Sequence, residues 1–337
     1  MFAMFDDPAV WLPFVFAGLL GISIVLYVIL DGFDLGVGVL VPLGDDKEKD
    51  MMVASIGPFW DANETWLVLA VGILLVAFPT AHGVILTALY LPVAVMLVGL
   101  IMRGVAFEFR AKAPTNRKET WNWIFFAGSL MTSLSQGAML GLYIMGLVIT
   151  PATIAFAALT AICLTVGYTY IGATWLILKT QGALQMKSIA WANRALIFVL
   201  AGIAAVSLAS PLVSERIFAK WFSFPEIVLL APLPILSAGL LAYMWYVLQR
   251  LPDDPDRLDW VPFAASTLLF AIAYAGLAYS FYPYVVPEKL TIYEAASAPE
   301  SLMIILVGAC VVVPTILGYT VLSYWIFRGK ATELRYD

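Results

Sequence analysis

Nine stretches of this chain are apolar for long enough, or nearly so, to cross a lipid bilayer, and together they take up most of it. They cover about residues 10–30, 64–79, 83–103, 122–149, 151–178, 190–210, 226–248, 261–284 and 301–327. A hydrocarbon core of roughly 30 Å takes about 20 apolar residues per helix, with every backbone group bonded inside the helix. The pattern therefore predicts an all-α integral membrane protein of about nine transmembrane helices. Of the 337 residues, 62% are hydrophobic and 12% charged, whereas soluble domains run near half and a quarter. A water-soluble enzyme is excluded. The longest hydrophilic stretches, near 31–63 and 103–121, are too short to hold cores of their own, so 1–337 reads as one polytopic membrane domain. The first span has no basic residue before it and no small-residue cleavage site, and is expected to be a retained helix.

With nine spans and the N-terminus outside, fifteen of the eighteen Lys and Arg fall on the cytoplasmic side. The positive-inside rule then places the N-terminus outside and the C-terminus in the cytoplasm. The net charge of −5 argues against a nucleic-acid partner. Metal ligands are scarce. The single histidine, His82, cannot form a bis-histidine haem site, and Cys163 and Cys310 lie inside apolar runs as expected free buried thiols. No metal is expected on this chain.

An ionisable side chain at mid-membrane costs roughly 2.5–3.5 kcal/mol on insertion scales, so those retained there line water, pair, or do chemistry. Two clusters qualify. Asp31-Gly32-Phe33-Asp34-Leu35-Gly36-Val37-Gly38 continues the first span, and Trp60-Asp61-Ala62-Asn63-Glu64-Thr65-Trp66 enters the second. In each, two carboxylates stand three residues apart and share a helix face. Close carboxylates suit a proton-accepting site. Asp61, Asp31, Asp34 and Glu64 are the candidate proton path, with Trp60, Asn63 and Trp66 as framework. Arg103, ending the third span, is their counter-charge. Two other readings compete: interfacial capping by Asp31, and a cation site of a secondary transporter. A transporter predicts paired broken helices, yet only the glycine-rich stretch near 31–44 reads as unwound. Elsewhere, Glu108 and Arg110 are expected to pair or snorkel. Asp253, Asp254, Asp256 and Asp259 read as a solvated turn, and Gly137, Gly141 and Gly146 as close helix packing.

At these clusters the sequence resembles subunit II of the cytochrome bd-type quinol oxidases. DGFDLGVG (31–38) and WDANETW (60–66) carry the resemblance. Arg103–Arg110, Gly172-Ala173-Thr174, Phe281-Tyr282-Pro283 and PTILGY (314–319) support it in order along nearly the whole chain. The resemblance implies two four-helix bundles (about 10–149, then 151 onward) plus a peripheral last helix to about 327. It implies a haem-carrying subunit I as partner, which ligates haems b and d and oxidises quinol. O₂ would be reduced to water with protons drawn from the cytoplasm, in a bacterial inner membrane. Asp61 matches the acid implicated in that proton path, and Asp31 and Asp34 match the first-helix acids. Many members carry histidine where this chain has Phe59. A structural quinone and small single-helix accessory subunits accompany some members, and the sequence holds no motif for either.

Overall fold

The computed structural model describes residues 7–332 except 214 and 256. Its first helix, α1 (Pro8–Leu40), begins where Asp7 accepts from the Ala9 amide at 2.9 Å and Pro8 occupies the first turn. At 1.5 Å per residue its 33 residues span about 50 Å. Then follow α2 (Asp46–Ile56), α3 (Trp60–Ala77), α4 (Pro79–Ala88), α5 (Tyr90–Lys112), α6 (Thr115–Ile144) and α7 (Pro151–Lys179). The second half holds α8 (Gly182–Val213), α9 (Glu215–Phe222), α10 (Glu226–Leu230), α11 (Pro232–Arg250), α12 (Trp260–Phe281) and α13 (Pro299–Ile326). A small hairpin, β1 (Tyr284–Val286) with β2 (Leu290–Thr291), joins the last two helices.

Among the described residues, eight segments are long and apolar enough to span a membrane: α1, α3, α5, α7, α8, the run through α10 and α11, α12 and α13. The expected fourth span is present as α6, 30 residues long, but falls short in hydropathy. Asn122, Ser129, Thr132, Ser133, Ser135 and Gln136 are all buried along it. Its polar side turns inward, against its neighbours.

Three expected boundaries move for physical reasons. The 31–44 stretch is helical to Leu40 and closes in one 3₁₀ turn, Val41–Leu43. Its glycines serve close approach instead of unwinding. A Cβ on Gly36 would lie 1.7 Å from the Tyr168 carbonyl of α7, where Gly172 faces it. The third span runs on to Lys112, so Arg103 lies inside α5 and not at its end. Gly146 sits beyond α6 at φ +71°, followed by Leu147 at +59°, closing a left-handed helix stop. Gly137 and Gly141 do pack closely, against Ala161 and Ala157 of α7.

Helix α1 lies against α3, α6 and α7. Helix α5 packs on α6, α7 on α8 and α12, and α11 on α8 and α12. One apolar core gathers Phe33, Phe59, Trp175, Leu176, Met244 and Leu248, with Phe33 stacked on Trp175 at 4.1 Å. A second, around Leu12, Phe16, Ile73, Phe78 and Val286, fills the opposite end of α1. Outward faces are apolar, with Val68 72% and Ile304 75% exposed, as a lipid-facing surface requires. That also explains Cys310, which is exposed on α13, while Cys163 is half-buried. An apolar run alone does not separate lipid-facing from core positions.

Helix α2 is held by ion pairs. Lys49 reaches Glu119 at 2.8 Å, Asp50 accepts from Arg110 at 2.7 Å, and Glu48 accepts from Lys187 at 2.7 Å. Arg110 therefore pairs with Asp50 and Asn122, and not with Glu108, which is exposed. The chain after α13 is tied down by an exchange of lysines. The Lys179 ammonium donates to the Phe327 and Gly329 carbonyls, capping α13. Lys330 donates to the Thr180 carbonyl at 3.0 Å, beyond the end of α7, and pairs with Asp259 at 2.7 Å. Asp259 is thus engaged, and Asp256 lies outside the described residues.

Candidate functional site

The periodicity of α1 sets the site. Tyr27, Asp31 and Asp34 stand at i, i+4 and i+7, one face of the helix, and all three are buried. Helix α3 brings Asn63 and Glu64 to that face, α5 brings Arg103, and α13 brings Tyr324. Arg103 Nη2 lies 2.6 Å from Asp31 Oδ1 and also contacts Glu64 Oε1. One guanidinium thus bridges α1 and α3. The Glu64 side chain is 28% exposed, whereas that of Asp31 is wholly enclosed. Glu64 connects the buried pair to the chain's surface.

Asp34 has no cation of its own. Its Oδ2 accepts from Asn63 Nδ2 at 2.8 Å, and its Oδ1 is buried without a partner. The same amide donates to the Leu30 carbonyl at 3.2 Å, and Asn63 Oδ1 accepts from the Tyr324 hydroxyl at 3.1 Å. On the other flank, Tyr168 donates to Gln136 Oε1 at 2.7 Å and Gln136 Nε2 donates to Tyr27 at 2.6 Å.

The structure thus brings together Asp31, Asp34, Glu64, Asn63 and Arg103. It does not bring Asp61 to them: that residue is in the first turn of α3 and exposed on this chain. Trp66 is enclosed in the core, and Trp60 is half-buried over Phe107 at 5.2 Å. Sequence reading missed Tyr27, Gln136, Tyr168 and Tyr324. Tyr27 stood one turn before Asp31 and Gln136 was an amide inside an apolar run. No local signal marked Tyr324. Phe59 is buried against Tyr324 at 4.6 Å, with the Lys179 ammonium 5.0 Å from its ring.

One buried guanidinium is shared by two carboxylates, and a third, Asp34, is enclosed nearby with only an amide donor. Acids gathered at this depth have the chemistry of a proton-binding site. The arrangement does not fit a haem. His82 lies half-buried in the first turn of α4. No group of three His, Cys, Asp or Glu among the described residues could hold a metal ion.

Comparison with known proteins covers nearly the whole chain. The family described as cytochrome bd terminal oxidase subunit II matches residues 12–327. The chain is 29% identical to cytochrome bd-I ubiquinol oxidase subunit 2 of Escherichia coli K12, over 96% of each. It is 26% identical to cytochrome bd ubiquinol oxidase subunit 2 of Bacillus subtilis, over 94% of this chain and 95% of that one. A chain in the structure of bd oxidase from Geobacillus thermodenitrificans superposes with a TM-score of 0.72 at 20% identity. It covers 95% of this chain and 99% of that one, a likeness of fold. The transporter reading finds no support, and α1 runs helical through the stretch that reading needed broken. This polytopic chain, with its carboxylates gathered on one arginine, belongs to the cytochrome bd terminal oxidase subunit II family, a component of an oxidoreductase complex.

Proposed function

We propose that the chain supports a haem-carrying subunit I and lends its acids to a route by which cytoplasmic protons reach the site of O₂ reduction to water. Asp61, exposed on α3, is the entrance. Glu64, one turn further and partly exposed, passes protons to the Asp31–Arg103 pair, and Asp34 is the innermost carboxyl. Asn63, Trp60 and Trp66 frame the route. The observation that carries this reading is the burial of two acids beside one arginine, with a third opening to the surface.

The remaining parts fit around that route. The distribution of Lys and Arg supports an outside N-terminus and a cytoplasmic C-terminus in a bacterial inner membrane. α6 then crosses as the ninth helix, its polar residues sheltered by α5 and α7. The packing of α1 on α3 and α6 and of α5 on α6, and of α8 and α12 on α7 and α11, supports two four-helix bundles joined through α1, α6 and α7, with α13 at their edge. Quinol oxidation and haems b and d are assigned to subunit I, in keeping with the family resemblance and with a single histidine here, too few for a bis-histidine site. A structural quinone and small single-helix subunits complete the assembly we envisage.

The test is made on the purified complex. Asp61→Asn and Glu64→Gln are each expected to lower O₂ consumption while the reduced-minus-oxidised haem spectrum stays at parental strength. Loss of haem in step with activity would assign these acids to assembly instead and overturn the proton route.

A further inference from the structure

Among the described residues, Asn63 is the only side chain that donates to Asp34, so whatever fixes the Asn63 amide fixes the hydrogen bonding of Asp34. Its orientation is over-determined. The Leu30 carbonyl can only accept, so the amide nitrogen must face Leu30 and, with it, Asp34. The amide oxygen then faces the last helix, where the Tyr324 hydroxyl must be the donor. The surroundings offer no substitute: the Tyr324 ring packs on Phe59 at 4.6 Å, and edge-on to Phe33 at 6.5 Å and Trp175 at 6.1 Å. A buried amide oxygen that loses its donor among such rings gains by turning. Turning would point an oxygen, not an N–H, at Asp34.

We propose that Tyr324 is a positioning residue for the proton-carrying carboxyl Asp34, acting through Asn63. Helix α13, which otherwise buries little beyond Leu302, Thr320 and Ser323, is thereby a working wall of the site. The Lys179 bond to the Phe327 carbonyl holds Tyr324 in register from three residues away. This inference rests on the proton-route reading and adds a residue to it.

Three variants of the intact oxidase complex test it, each with haem content, O₂ consumption and the redox-linked infrared carboxyl band recorded. Tyr324→Phe keeps the ring and removes only the donor. It is expected to leave the haem spectrum intact, slow O₂ consumption about three- to tenfold, the scale of one buried hydrogen bond, and shift the carboxyl band. Asp34→Asn is expected to abolish that same band. Thr320→Val, a buried position on the same helix, is expected to match the parent. If Tyr324→Phe leaves both rate and band unchanged, or loses haem where Thr320→Val does not, Tyr324 is not a positioning residue. If Asp34→Asn alters neither rate nor band, the proton route itself fails, and this inference with it.

Discussion

Arg103 and Asp31 stand 2.6 Å apart with side chains 2% and 0% exposed, so removing the guanidinium orphans the Asp31 carboxylate. Breaking a buried pair from one side costs about 3–5 kcal/mol, whereas removing both partners costs far less. Arg103→Met is therefore expected to sharply reduce the yield and melting temperature of the complex. Asp31→Asn should be milder, because Glu64 still faces the guanidinium. Adding Asp31→Asn to Arg103→Met should restore part of the loss. Thermal unfolding of the three purified variants measures this, and a double variant weaker than Arg103→Met alone would contradict the pairing.

The Tyr168–Gln136–Tyr27 string should behave as one unit. Each link is a buried hydrogen bond worth about 1 kcal/mol. Tyr27→Phe and Tyr168→Phe are each expected to destabilise by about that amount, and together by less than the sum, because both free the same amide. A double-mutant cycle on melting temperature reads the coupling, and strict additivity would mean that the string is not shared.

At Gly36 the fold tolerates no side chain, since a Cβ there meets the Tyr168 carbonyl. Overpacking of this kind costs about 1–3 kcal/mol. Gly36→Ala should lower thermal stability by that much or prevent assembly. Gly308→Ala, on the open face of α13 with nothing within 4 Å, should match the parent or gain slightly in stability.

Acid should loosen α2 only at low pH. Lys49 and Asn122 bond to the Glu119 carboxylate, ahead of the apolar part of α6, and hold its pKa below the ordinary glutamate value. A lowered folded pKa gives stability that is present above the unfolded value of about 4.3 and lost as pH falls through the folded one. Hydrogen exchange across 46–56 should stay slow down to about pH 4 and quicken below it. Lys49→Met should abolish that acid step, and an unchanged step would assign it to another carboxylate.

What the sequence made legible was the cost of exposed polarity in lipid. It marked the spans, and it marked Asp31, Asp34 and Glu64 because charges inside apolar runs need a reason. It mislocated Arg103, because a charge reads as the end of a span when its partners are unknown. The two partners that offset it come from helices 72 and 39 residues earlier in the chain, beyond any local pattern. Asp61 showed the converse: it shares a helix face with Glu64, yet lies one turn nearer the start of α3 and is exposed there. α6 was legible as a span in spite of its hydroxyls and amides, which are buried against neighbouring helices instead of facing lipid. Tyr324 could not be read at all, for its role depends on a contact 261 residues distant.

Tyr324, Lys330 and the carbonyls that receive Lys179 all lie in the final tenth of the polypeptide. A ribosome releasing this chain into the bilayer therefore delivers the carboxylates first and their cover last. Until α13 is in place, the Asn63 oxygen lacks its donor.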